Sequence, residues 1–229
     1  MDDSRFRIPF STPLAILVSG IVIALAIVYV GKAETKPLPA DLPVEQPLTE
    51  VRSLTPGDHV LGSPEADIIL VEYSDIECPF CAQIHNTLQS IVEQSGGKIA
   101  WVYRHFPLTS IHAHALPAAL AAECVASLGG NEAFFSFVSL LFSAQRSLGD
   151  ATYVEAAKAV GVEPEGFKAC VTARTYEERV KTDFSEAIAA GGQGTPFVII
   201  KGKDGKQTSF SGALPSEYIT QIIASVSGR

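Results

Sequence analysis

The stretch "DIILVEYSDIECPFCAQIH", Asp67 to His85, constrains the fold more than any other part of the chain. "DIILVEY" is a short apolar run rich in β-branched residues, suited to a buried strand. Beyond Pro79 the apolar residues Ile84, Leu88, Ile91 and Val92 recur at helical spacing, and Gly96 and Gly97 mark the stop. Proline suits a first helical turn, which puts Pro79 at the helix start. "KIAWVYRHF", Lys98 to Phe106, reads as a second strand. Strand, helix and strand at this spacing predict a right-handed βαβ unit with parallel strands. Cys78 and Cys81 fall on its strand-to-helix junction.

A long alanine-rich block follows. "HALPAALAAECVASLGG", "NEAFFSFVSLLFSAQ", "DATYVEAAKAVGV" and "PEGFKACVTARTYEERVKTDFSEAIAAGG" all read as helical, punctuated by Gly129, Gly130, Gly149 and Gly161. Val198 to Lys201 and Gln207 to Ser211 are expected strands around an Asp204-Gly205 turn. "PSEYITQIIASV" closes the chain as a helix. The expected fold is α/β, a domain over 57–229 with a helical insertion at about 110–190.

The chain has 229 residues, and positions 8–31, 24 in all, carry no charge. Within them "LAILVSGIVIALAIVYV" approaches the roughly 20 apolar residues a helix needs to cross a bilayer. The expected organisation is a cytoplasmic N-terminus over 1–13, a transmembrane anchor over 14–31 and a linker over 32–56. "GKA" at Gly31 to Ala33 also permits a cleaved signal peptide, but the apolar run exceeds the usual 7–15 residues of such a segment. Arg5 and Arg7 precede the span, so the positive-inside rule leaves the rest outside the cytoplasm. Pro37, Pro39, Pro43, Pro47 and Pro56 make the linker an extended, semi-rigid spacer. Net charge is −8, with no basic cluster after the span, so nothing builds a nucleic-acid footprint.

The cysteine pair has three readings: a redox centre, half of a metal site, or a structural clip. The thiolate is the nucleophile of disulfide exchange. A cysteine at a helix start meets free backbone N–H groups and a dipole that favours negative charge. That points to an activated thiol at Cys78, with Cys81 one turn further on as its resolving partner. Glu77 brings a negative charge that would oppose the thiolate. "HAH", His112 and His114, invites a metal reading with the two cysteines, but zinc sites usually draw on a second close pair of ligands, and no second CxxC exists. No metal is therefore expected. His59, His85, His105, His112 and His114 are read as ordinary helix-start and surface histidines.

"DHVLGSPEADIILVEYSDIECPFC", "RHFPL" followed by His112, "AAEC" and "GGQGTPFVII" together resemble the DsbA-like thiol-disulfide oxidoreductases of the thioredoxin superfamily. The resemblance runs from about Asp58 to the C-terminus. It implies a thioredoxin-like fold, with Cys78 attacking and Cys81 resolving. Pro196 matches the family's cis-proline, and Thr195 the residue whose backbone holds a substrate strand. Glu72 falls where DsbA has a buried acid, which makes it a candidate proton acceptor for Cys81; the alternative is a solvated strand-edge glutamate. DsbA carries a histidine between its cysteines where this chain has Phe80, so a strongly oxidising pair does not follow. The resemblance further implies exported cysteine-containing proteins as substrates, a membrane quinone-linked oxidase as partner, and no cofactor beyond the Cys78–Cys81 disulfide.

Cys124 and Cys170 lie in the helical block. Outside the cytoplasm an even cysteine count favours pairing, so a structural Cys124–Cys170 disulfide is expected. Two buried reduced cysteines or a second redox pair remain open. The expected function is oxidation of cysteine pairs in exported proteins. A reductase or isomerase using the same site, and a non-catalytic metal- or protein-binding module, are the rivals.

Overall fold

The computed structural model describes residues 51–227. The expected cytoplasmic stretch, transmembrane anchor and most of the linker lie outside the described residues. These residues form one five-stranded sheet and six α-helices in the order β1 (His59–Leu61), β2 (Ile68–Ser74), α1 (Pro79–Gln94), β3 (Ile99–His105), α2 (Ala115–Ser143), α3 (Asp150–Ala159), α4 (Pro164–Thr172), α5 (Glu177–Ala189), β4 (Phe197–Gly202), β5 (Gln207–Ser211) and α6 (Ser216–Val226). The sheet order is β1-β3-β2-β4-β5. β2 and β3 run parallel, as a βαβ unit requires, and β4 and β5 continue the sheet antiparallel. β1 was not expected. Its three residues "HVL" are too few to show a period, and it is specified by pairing with Tyr103, Val102 and Trp101 of β3.

β2 is central, so both its faces are buried and its apolar run is nearly continuous. Leu70, Trp101 and Tyr103 pack with Ile84 and Leu88 of α1 and with Ile219 and Ile223 of α6. On the opposite face Val71, Tyr73, Val102 and Ile199 pack with Ala187 and Ala190 at the α5 end and with Val51. Val51 is buried and Arg52 pairs with Asp58, Asp183 and Glu186. The packed unit thus already includes Val51, and the expected boundary at 57 is corrected accordingly. Arg52 belongs to the domain because three carboxylates hold it there.

α2 is long and apolar enough to cross a membrane by composition. It is broken at Gly130 (φ 81°), in the left-handed region that glycine adopts without a Cβ clash, and its buried residues, including Val125, Phe134 and Phe137, belong to the core. The stretch from Pro164 to Gly192 divides into α4 and α5, with Arg174 left-handed between them (φ 50°). No glycine or proline announces that break.

Candidate functional site

Cys78 is the N-cap of α1, in extended conformation (φ −74°, ψ 123°), and Pro79 begins the helix. No side chain caps this end, so the first N–H groups of α1 are left for the Cys78 sulfur. Cys78 is 4% exposed and Cys81 is fully buried, while Phe80 between them is 56% exposed. Both cysteines are free thiols.

The Thr195–Pro196 peptide bond is cis. It brings the Thr195 carbonyl to 3.5 Å from Cys78 Sγ, which donates to it. Gly192, three residues earlier, packs tightly at the end of α5. A Cβ on Gly192 would stand 2.9 Å from the Ala187 carbonyl oxygen and 2.9 Å from the Phe197 ring, so only glycine fits there.

The two thiols are opposites. The Cys78 thiol is pulled down to about 6, first by a hydrogen bond from the Cys81 thiol. The Thr195 side chain and the N–H groups of Cys81 and Phe80 add to this against the cost of burial. The Cys81 thiol is pushed well above its ordinary value, first by burial, then by its bond to Cys78 and by the charge at Glu72. Its sulfur accepts the Asp75 N–H at 3.4 Å.

Glu72 lies beneath the pair, on the same face of the sheet as Trp101 and Tyr103, and is fully buried. The strand-edge alternative is excluded, because β2 is paired on both sides. Burial pushes its carboxyl up to about 8. Ser74 and Trp101 draw it partly down, yet neither carboxyl oxygen completes a hydrogen bond with a described residue.

Two side chains that sequence reasoning did not assign, Asp75 and Gln145, hold the turn before Cys78. Asp75 accepts the N–H groups of Glu77 and Leu108, each at 2.8 Å, and its Oδ2 also lies 2.8 Å from His112 Nδ1. Gln145 Nε2 donates to the carbonyls of Ile76 and Cys78 at 2.8 and 2.9 Å. Glu77, expected to oppose the thiolate, instead accepts the His114 N–H at 2.6 Å at the start of α2. A helix N-terminus favours that negative charge, so Glu77 has its own electrostatic partner. The "RHFPL…H" motif was the available signal for Asp75 and His112; nothing local marks Gln145.

This geometry agrees with the sequence-family comparison. A family model described as Thioredoxin matches residues 54–216. The chain belongs to the thioredoxin superfamily as a DsbA-like member. This DsbA-like chain is 27% identical to Wolbachia pipientis alpha-DsbA1, whose crystal structure superposes with TM-score 0.65 over 76% of this chain and 93% of that one. Pseudomonas aeruginosa DsbA2, 24% identical, superposes with TM-score 0.58 over 76% of this chain and 97% of the other, and supports the fold alone. Among curated proteins, the Na(+)/H(+) antiporter NhaA 1 of Mycolicibacterium gilvum is 32% identical over 192 residues, 83% of this chain. NhaA 3 of Salinispora tropica is 32% identical over 146 residues, 64% of this chain. The chain spans 30% and 22% of those two proteins.

The DsbA-like domain places Cys124 and Cys170 apart from the redox pair, joined by a disulfide between α2 and α4. His112 and His114 are engaged with Asp75 and Glu77 as described, and do not gather with the cysteines into a ligand set. His59, His105 and Glu123 do gather, with ligand atoms within 4.8 Å of one another. Glu123 Oε1 already meets His59 Nε2 at 2.8 Å, His105 Nε2 at 3.2 Å and Arg179 Nε at 2.7 Å. Burial pushes the Glu123 carboxyl up, but hydrogen bonds from His105 and His59 outweigh it and hold it well below the usual range. An arginine on the same oxygen makes this an ion-pair hub tying β1 and β3 to α2 and α5.

Proposed function

We propose that the protein is an extracytoplasmic thiol-disulfide oxidoreductase that oxidises cysteine pairs in exported proteins. The observation that carries this reading is the asymmetry of the pair: a low-pKa Cys78 beside the Thr195 carbonyl, and a buried, protonated Cys81.

The cycle starts from the Cys78–Cys81 disulfide. A substrate thiolate attacks Cys78 Sγ; the new S–S bond forms as the Cys78–Cys81 bond breaks, and the electron pair leaves on Cys81. Cys81 then takes a proton, and protonated Glu72 is the buried acid at hand to supply it. A second substrate thiolate attacks the substrate sulfur of the mixed disulfide. Cys78 leaves as a thiolate, which its depressed pKa favours. The substrate loses two electrons and the enzyme pair gains them. Renewed turnover needs an oxidant, for which a membrane quinone-linked oxidase is the proposed partner. The apolar run over 14–31 is the proposed anchor holding the domain at that membrane.

Cys78→Ser is expected to abolish oxidation of a reduced, unfolded disulfide protein; Cys81→Ser, which cannot form the Cys78–Cys81 disulfide, is expected to abolish it too, and to trap a mixed disulfide through Cys78 when offered a substrate that already carries a disulfide. Full activity in Cys78→Ser would overturn the assignment.

A second reading, reductase or isomerase, is favoured by the Cys78 value of about 6. This lies nearer the value of about 7 for thioredoxin than that of about 3.5 for DsbA. The reduction potential against glutathione separates the two. A value near thioredoxin's would replace the oxidase reading.

A further inference from the structure

Gln145 stands in the helical insertion, in the single 3-10 turn Gln145–Ser147 that follows α2. It is 67 positions from Cys78 in sequence, yet one Nε2 donates to both Ile76 O and Cys78 O. These carbonyls flank Glu77 and bracket the turn that delivers the nucleophile to α1. The Cys78 carbonyl also accepts the N–H groups of Cys81 and Ala82, at 3.1 and 3.2 Å. The Ile76 carbonyl has Gln145 as its donor.

A carbonyl oxygen is the negative end of a strong dipole. Two such oxygens near a sulfur would disfavour its thiolate, whereas N–H groups aimed at it favour the charge. Gln145 satisfies both oxygens and fixes where they point. We propose that Gln145 is a positioning residue for Cys78, holding the Ile76 and Cys78 carbonyls away from the sulfur so that the helical insertion sets the reactivity of the nucleophile. It touches neither sulfur nor substrate; it acts through the backbone of the turn. A mutation in the insertion, far from the CxxC in sequence, should therefore alter the chemistry of the pair and not merely its stability.

The inference rests on Cys78 being the attacking thiol. The test is the pH dependence of iodoacetamide alkylation of the reduced full chain. Cys81 is buried with a raised pKa, so only Cys78 reacts below about pH 8. The unaltered chain should show a midpoint near pH 6. Gln145→Met, similar in length but without donors, should move the midpoint up by about one pH unit, slowing alkylation at pH 6 several-fold. Gln145→Glu, which sets negative oxygens against the two carbonyls, should move it further. Ser147→Ala, in the same turn but with its hydroxyl donating to the Ala144 carbonyl and not to the cysteine turn, should leave it in place.

If both Gln145 variants stay folded by circular dichroism and keep the midpoint of the unaltered chain, the inference is wrong. An equal shift in Ser147→Ala would also overturn it, by showing a general loosening of the turn. If instead Cys78 of the unaltered chain fails to react, the oxidoreductase reading itself has failed. Should Gln145→Met not fold, Gln145→Asn, too short to reach both carbonyls, stands in for it beside Gln145→Glu.

Discussion

Glu72 and Arg104 are an acid and a base buried to the same degree, 0% exposed, on adjacent strands and opposite faces of one sheet. Arg104 is fully compensated. Its Nε meets Asp58 Oδ1 at 3.0 Å, its Nη1 meets Glu186 Oε2 at 3.0 Å, and Tyr73 OH lies 3.3 Å away. Arg52 binds the same two carboxylates and Asp183. Glu72 has no such partner, and nearby Ser74 Oγ, Trp101 Nε1 and Tyr103 OH are likewise without one among the described residues. Burial is therefore not what separates a structural charge from a reactive group. Compensation is. A charge with geometry-matched partners keeps its ordinary state in the interior, whereas an uncompensated group shifts its pKa until it is neutral. The α5 face spends polar residues on cohesion, and the α1 face keeps protonation states movable beneath the cysteines.

The largest effect should come from breaking the compensated side. Arg104→Met leaves Asp58 and Glu186 with Arg52 as their one cation among the described residues, and is expected to cost about 3–5 kcal/mol in urea unfolding. Alkylation of Cys78 should keep its pH midpoint, because Arg104 faces away from the pair. A cost below about 1 kcal/mol, the level of an exposed pair, would remove the contrast. Next in size is the Cys124–Cys170 disulfide, which closes a loop over a sequence separation of 46. Replacing both cysteines with alanine should cost about 2–4 kcal/mol, again without moving the Cys78 midpoint. Loss of exchange activity in that folded variant would make the second pair part of the redox chemistry.

The active-site face was more legible in the sequence than the ion-pair face, for a physical reason. Helix starts, buried strands and the CxxC announce themselves by local spacing. Thr195-Pro196 is a dipeptide whose role the family resemblance supplies. The Arg52, Asp58, Arg104, Asp183 and Glu186 network has no local period. Its members come from the segment before β1, from β3 and from α5, and only the folded topology brings them together. For the same reason Arg52 reads as linker from its neighbours in sequence, and the Glu77 charge reads against Cys78 beside it and not against the α2 start that it serves. Gln145 is the extreme case, a polar residue in an alanine-rich block whose partners are two backbone carbonyls that any sequence would supply.

The smallest predicted stability effect has the opposite sign and tests the comparison most directly. Glu72→Leu removes a buried carboxyl that completes no hydrogen bond, so at pH 7 it should stabilise the reduced protein by about 1–3 kcal/mol. Its pH dependence has a definite direction. The folded value is about 8 against 4.5 for the free group, so between these limits the native state holds more protons than the unfolded one. Stability from the neutral carboxyl is fully present below pH 4.5 and is lost as pH rises through 8. The advantage of Glu72→Leu should therefore widen from pH 4.5 to 8 and level off above. At the same time the sulfur of Cys81 loses its buried proton source, so disulfide exchange should slow while the protein becomes harder to unfold. Urea midpoints at several pH values, with exchange rates on the same preparations, check both halves. A variant that is less stable at every pH would mean that Glu72 is compensated after all, and a stability gain that does not change with pH would mean that it does not titrate in this window.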